Sequence, residues 1–229
     1  VVQVMTYLVE NETAALLVPA NLVPRVHPHY REVVGFLAVQ MADEARHVEV
    51  FTRRIGLRGR SPGTSSRGGQ ASLATLVTER DPDVASFLLS VMGETSFLEL
   101  LRFLQQHGPD PVTRAICRLA ATDEVRHVAF AVGRLRRRGD PALLDRLASA
   151  VRAREAALRH TSGLDPNVFD ALIVLASPTF DPPGVSVGFE RVVELVGRMD
   201  RARRAMLVRL GYAPEQAAAL SALHTRNFM

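Results

Sequence analysis

The chain has 229 residues, which fits one large domain or a domain with an appendage, and 47% of them are apolar, enough for a sizeable core. Lysine is absent, so all 28 basic residues are arginine, and a net charge of +4 on a chain of this size does not mark a nucleic-acid binder. One cysteine, Cys117, excludes an internal disulfide framework; with no signal peptide or membrane-spanning run evident, a reducing cytoplasm is the expected compartment.

Ala, Leu, Val, Arg and Glu dominate, and long alternating Val/Ile/Thr runs are missing, so helices are expected throughout. The first covers about Val1 to Val18 and is stopped by Pro19; it opens already in helical pattern, so further residues are expected upstream. Asn21 to Pro28 reads as a connection. A long amphipathic helix follows from about His29 to Arg54, with Val34, Phe36, Leu37, Val39, Met41, Val48 and Val50 recurring on a roughly 3.6-residue period. Gly56 to Gln70 is rich in Gly, Ser and Arg and reads as a mobile loop. A short helix, Ala71 to Glu79, leads to Asp81-Pro82, which opens a helix over about Asp83 to Gln106. Asp110-Pro111 opens the next, running to about Arg138 and stopped by Gly139-Asp140-Pro141. Its basic end, Arg134, Arg136, Arg137 and Arg138, suits the negative end of a helix dipole. Further helices are expected near Ala142–Arg159, Asn167–Leu175, Val187–Leu210 and Pro214–His224, with Asp181-Pro182-Pro183-Gly184 as the clearest break. The expectation is an all-α chain: a core over residues 1–138 and a helical extension over 139–229 packed on the same domain.

One long-period repeat carries the chemistry. Asp43-Glu44-Ala45-Arg46-His47-Val48 matches Asp123-Glu124-Val125-Arg126-His127-Val128 at five of six positions, 80 residues on. Each copy holds Glu-x-x-His; three residues of helix turn through about 300°, so the two side chains emerge one turn apart on nearly the same face. Upstream, Gly93-Glu94-Thr95 places a glutamate 30 residues before Glu124, and Asn11-Glu12-Thr13 places one 32 residues before Glu44. Glu10 rivals Glu12, but the match of Asn-Glu-Thr to Gly-Glu-Thr favours Glu12. Antiparallel neighbours joined by a short turn would bring each upstream glutamate to the height of its own Glu-x-x-His pair. Two Glu from two helices and Glu-x-x-His from two others is the ligand pattern of ferritin-like di-metal bundles, and a ferritin-like four-helix core is therefore expected. Four buried carboxylates alone would cost on the order of several kcal/mol each, whereas two divalent ions cancel them. Oxygen and imidazole donors suit iron, with manganese–iron as the alternative pair. Met41, Val48, Ala121 and Val128 frame the motifs with apolar character, which surface helices would not need.

At these residues the sequence resembles the di-iron carboxylate oxygenase branch of the ferritin-like superfamily, whose members include bacterial multicomponent monooxygenases, acyl-carrier-protein desaturases and p-aminobenzoate N-oxygenase. The resemblance covers about Val1 to Arg138. It implies that Glu12, Glu44, His47, Glu94, Glu124 and His127 are metal ligands. It also implies that Asp43 and Asp123 each accept the free ring N–H of the histidine in the opposite repeat, with Arg46 and Arg126 neutralising them. The N-oxygenase carries an extra histidine one turn before its second Glu-x-x-His; here that position is Ala120. A reductase-type radical subunit would need a Tyr/Trp relay, and a rubrerythrin a Cys-rich module; neither is present.

The activity implied is hydroxylation, desaturation or N-oxygenation of a small organic substrate, with dioxygen as co-substrate. With no flavin or nicotinamide fingerprint, the electrons are expected from a separate reductase. Phe97, Leu98, Ala120, Cys117 and Leu16 are expected to wall a pocket, while Phe51 and Phe130 read as core and Cys117 as a small buried filler. His27, His29, His107, His160 and His224 lack partners at ligand spacing and read as surface or capping residues. Val187 to Leu210 is amphipathic enough to cover the pocket or to form a homodimer face. Two other classes fit the motif: a ferritin-like iron-oxidising or peroxide-scavenging protein with no pocket beside the metals, and a tRNA-modifying hydroxylase, which needs a continuous arginine patch.

Overall fold

The computed structural model describes residues 1–63, 66–138, 140–160 and 165–228. Among them every regular element is a helix: α1 Val2–Leu22, α2 Arg31–Gly56, α3 Arg67–Val77, α4 Pro82–Ser86, α5 Thr95–His107, α6 Pro111–Arg137, α7 Pro141–Leu158, α8 Pro166–Ala176, α9 Pro182–Leu210 and α10 Pro214–Phe228. A 3-10 turn, Val23–Arg25, follows α1, and a π-helical segment, Phe87–Glu94, joins α4 to α5.

The helix starts have a shared local cause. Five helices, α4, α6, α7, α8 and α9, open with Asp-Pro. In each, the aspartate carboxylate (Asp81, Asp110, Asp140, Asp165, Asp181) accepts a hydrogen bond from a backbone N–H of the first turn. The proline follows at the first helical position, where its missing N–H costs nothing. At the other end of α9, Gly211 takes φ 118°, a left-handed conformation that lets the chain turn into α10.

α1 packs along α2, and α5 along α6; α9 lies along α5 and also touches α8 and α10. Two apolar cores result. One gathers Ala15, Val18, Leu37, Phe87, Met92, Val128 and Leu135 with α7 and α10 residues. The other gathers Val4, Leu8, Phe51, Phe97, Leu101, Cys117 and Ala121 with α8 and the first half of α9. In each of the four core helices the chain passes from one cluster to the other, and at each crossing sits an acidic residue: Glu12, Glu44, Glu94 or Glu124. The bundle is therefore two oily blocks separated by one polar layer. The stretch Pro82–His107 is long and apolar enough to cross a membrane by composition, but 83% of its most apolar window is buried inside the bundle.

Several expectations need correction. Pro19 does not end α1, which continues to Leu22 with the proline inside. It sits in the last turn, where only the bond to the Ala15 carbonyl is lost, and Val18 and Leu22 stay in the core. The helix expected over Asp83 to Gln106 is not one regular α-helix: its middle is wound as π. α3 starts four residues early, capped by the Ser66 hydroxyl, which accepts from the Gly69 N–H, and ends at Val77. The Asp181-Pro182 break is itself the start of α9, five residues before the expected Val187. His224 is not a surface residue but lies buried, and burial with Arg154 and Arg203 nearby holds its ring neutral. Thr64 and Ser65 of the expected mobile loop, and Gly139 of the expected stop, lie outside the described residues.

Candidate metal centre

The polar layer is built from one residue per turn. Glu12 leaves the middle of α1; Glu44 and His47 leave α2 one turn apart; Glu94 closes the π segment; Glu124 and His127 leave α6 one turn apart. All six are buried, Glu44 and Glu124 with 0% exposure. They form two overlapping groups whose oxygen and nitrogen atoms lie within 4.8 Å of one another: Glu12, Glu44, His47 and Glu124, and Glu44, Glu94, Glu124 and His127. Glu44 and Glu124 belong to both. Glu10 is in neither group.

His47 Nδ1 lies 3.2 Å from Glu44 Oε2, 3.5 Å from Glu12 Oε2 and 3.4 Å from Glu124 Oε1. His127 Nδ1 lies 3.1 Å from Glu44 Oε1 and 3.4 Å from Glu124 Oε2. Each ring thus aims Nδ1 at the carboxylates. Each aims Nε2 the other way, and the two rings cross repeats: His47 Nε2 is 3.2 Å from Asp123 Oδ2, and His127 Nε2 is 3.3 Å from Asp43 Oδ2. A ring whose Nε2–H donates to a carboxylate keeps its Nδ1 lone pair for the centre. Arg46 and Arg126 lie across the two aspartates. Arg46 reaches Asp43 and Asp123 at 2.7 Å each, and Arg126 reaches Asp43 at 3.2 Å and Asp123 at 2.5 Å. Both arginine side chains are half exposed, so this end of the layer meets solvent.

The electrostatics of the group as it stands are those of a cation site. Burial, then repulsion from Glu44 and Glu124, raises the Glu12 carboxyl well above the usual carboxylate range; burial, then the Glu124 charge, does the same to Glu94. Burial pushes Glu44 upward too, but the His127 and His47 rings against it outweigh burial and hold it at about 2. Burial disfavours both imidazolium ions, yet the surrounding carboxylates win, raising His47 and pushing His127 up to about 11. Four buried oxygens, Glu12 Oε1, Glu44 Oε1, Glu94 Oε2 and Glu124 Oε1, make no hydrogen bond among the described residues. Two divalent ions would fit this donor set, matching four carboxylates in charge and giving those oxygens and both Nδ1 atoms a partner.

Sequence reasoning missed Gln40. Its Nε2 donates to Glu94 Oε1 at 3.0 Å, with both groups buried. The residue stands one turn before Glu44 on the inward face of α2, and an uncharged polar side chain at that register was the available signal. The π segment was missed as well. Its wide turns let the Ser90 carbonyl accept from both the Thr95 N–H and, at 3.3 Å, the Thr95 hydroxyl, and set Glu94 at the level of the layer.

On the side away from the aspartates, Glu12 and Glu94 border a slot between α1, α3 and the π segment. Ala15, Leu73, Leu76, Leu89 and Phe97 form its walls, with a volume of about 30 Å³. Phe97 falls where expected; Ala15 lines the slot in place of Leu16. Leu98, Ala120 and Cys117 pack in the apolar core instead. Phe51 is core, as expected, while Phe130 is half buried and stacks on Phe36 at 3.7 Å. A groove of about 450 Å³ between α7 and α10 is roomier but includes none of the six residues.

A family model described as P-aminobenzoate N-oxygenase AurF matches residues 20–153, more than half of the chain. The matched stretch contains both Glu-x-x-His copies and Glu94, and Glu12 precedes it. No curated protein matches the chain.

Proposed function

The chain belongs to the p-aminobenzoate N-oxygenase family of ferritin-like di-iron oxygenases, and from that premise we propose that it is an oxygenase or oxidase that uses dioxygen to oxidise a small organic substrate. In this reading Glu12, Glu44, His47, Glu94, Glu124 and His127 would hold two iron ions, Glu44 and Glu124 belonging to both groups of ligands, and a separate reductase would supply electrons. Iron bound there would supply the electrons that reduce dioxygen.

The single observation that carries the reading is the overlap of the two groups at Glu44 and Glu124. A structural site closes around one ion; two groups that overlap at a pair of carboxylates would offer places for two. The chain's own residues then divide the remaining work. Asp43 and Asp123 hold the histidine rings by Nε2 and keep Nδ1 free. Arg46 and Arg126 balance those aspartates at the solvent side. The apolar slot by Glu12 and Glu94 keeps bulk water from the opposite side. The apolar lining of that slot suits an organic reactant once Leu73 and Leu76 move outward. Ala120 stands where the N-oxygenase has its extra histidine, and a methyl group cannot bind metal, so the proposed ligand set is six side chains.

The test is metal analysis after reconstitution with ferrous iron, followed by anaerobic reduction and exposure to oxygen. Wild-type protein is expected to hold about two iron per chain and to consume oxygen, and Glu124→Ala to hold almost none. Wild-type protein that retains no transition metal would end the proposal.

A further inference from the structure

We infer that the reactant seated beside Glu12 and Glu94 is uncharged and apolar, so that this chain does not take the carboxylate-bearing substrate its family is named for. The inference rests on the di-metal reading above and deepens it.

The slot walls decide the matter. Ala15 on α1, Leu73 and Leu76 on α3, Leu89 on the π segment and Phe97 on α5 present only carbon. The polar groups at the slot are Glu12 and Glu94 themselves and Asn11, whose side-chain amide donates to the Tyr7 carbonyl at 2.8 Å. Among the described residues, no arginine, histidine or hydroxyl residue lines it. A bound carboxylate would leave water for a wall that returns no hydrogen bond. A second cavity at the layer does not help an anion. Gln40, Ser86, Ser90 and His127 line it with Arg134, but Arg134 is held by Asp83 at 2.9 Å and by the Pro82 carbonyl at 3.0 Å. The slot open to Glu12 and Glu94 therefore selects against charge.

Size is set by α3. A volume of about 30 Å³ holds a pair of waters or dioxygen, and a ring needs the Leu73 and Leu76 side chains to move outward. The adjoining face of α3 is pinned by the buried Arg154 of α7, which donates to the Ser72 carbonyl and hydroxyl and to the Thr75 hydroxyl. Those two leucines therefore set which neutral molecules enter. At Gly93, which borders the slot, an added Cβ would meet only the Leu88 carbonyl at 3.4 Å, so the slot can also be narrowed from below.

The experiment uses the iron-loaded, anaerobically reduced chain and three probes at equal concentration: toluene, aniline and 4-aminobenzoate. Thermal unfolding reports binding, because a ligand of the folded state raises the midpoint. Toluene and aniline are expected to raise it and to bind at least tenfold more tightly than 4-aminobenzoate. Leu76→Trp, which fills the slot, is expected to abolish the rise for both neutral probes while iron content stays at the wild-type value. Ala15→Leu serves the same purpose if the tryptophan variant does not fold. The inference is overturned if 4-aminobenzoate binds as tightly as aniline, if none of the three binds, or if both filled variants bind the neutral probes like wild type. A chain that takes up no iron sinks the di-metal reading instead, so the two failures are distinct.

Discussion

In the first half of the bundle, Glu44 and His47 follow a turn that carries Gln40; in the second, Glu124 and His127 follow a turn that carries Ala120 at the same register. Gln40 crosses the layer and holds one oxygen of Glu94. An alanine offers Glu12 nothing comparable, and Cys117, a turn further back, is a buried thiol pushed up to about 12 by burial and then by the Glu12 charge. The glutamates arrive differently too: Glu12 from a regular α-helix, Glu94 from π turns. Yet the charged frame is duplicated almost atom for atom, with each histidine between its own glutamate and the opposite aspartate. The difference teaches which parts of such a site must be paired. Two like cations require like charges around them, whereas the side chains that steer each outer carboxylate are free to diverge.

The comparison can be broken most severely at the shared carboxylates. Glu44→Ala or Glu124→Ala removes a group from both clusters and is expected to reduce bound iron from about two per chain to near zero. Glu12→Ala or Glu94→Ala touches one cluster and is expected to leave about one; elemental analysis of reconstituted protein separates the outcomes. Next come the aspartates. Asp43→Asn weakens the hold on His127 and Asp123→Asn that on His47, and each is expected to weaken metal binding by roughly 10- to 100-fold, read from competitive chelator titration. If the frame is as symmetric as it looks, the two losses agree. Gln40→Leu then tests the asymmetry. Loss of one buried hydrogen bond of about 1 kcal/mol should weaken one of two stepwise metal affinities by roughly fivefold, while Ala120→Gly leaves their ratio unchanged. Smallest is the thiol. Because its pKa is raised, Cys117 stays protonated at about pH 8.5, where a free cysteine is half ionised. Alkylation of the native chain there should be negligible by mass spectrometry and complete once it is unfolded.

Much of this arrangement was open to reading from residues alone, because the repeat places the same six letters twice and helical spacing fixes what Glu-x-x-His must do. The all-α fold followed from composition, and the Asp-Pro pairs marked where α4 and α6 begin. Other features depend on context that spacing does not carry. Pro19 breaks helices in general, but the packing of Val18 and Leu22 outweighs one lost bond near a terminus. The π winding of Phe87–Glu94 changes how the backbone hydrogen-bonds without changing which residues are apolar, so periodicity over eight residues cannot reveal it. Gln40 meets Glu94 only through the approach of two helices 54 residues apart in the chain. His224 reads as a polar residue near the end of the sequence, and only the packing of α10 over α7 and α9 shows it to be interior.

Arg203 has a consequence for where this molecule can be divided. It lies on α9 with 1% exposure and donates to Ser96 at 2.7 Å, two residues past Glu94, and to Ser221 of α10 at 3.0 Å. A guanidinium in that position is a bolt through three segments, and one of them, α5, begins directly after Glu94. The portion shared with relatives ends at residue 153, but the mechanical unit does not. Cutting the chain there would take away the bolt and leave α5 facing water along the side that α9 now covers. Kinship and foldability draw their boundaries in different places, and any fragment, fusion or graft of this metal centre has to follow the second.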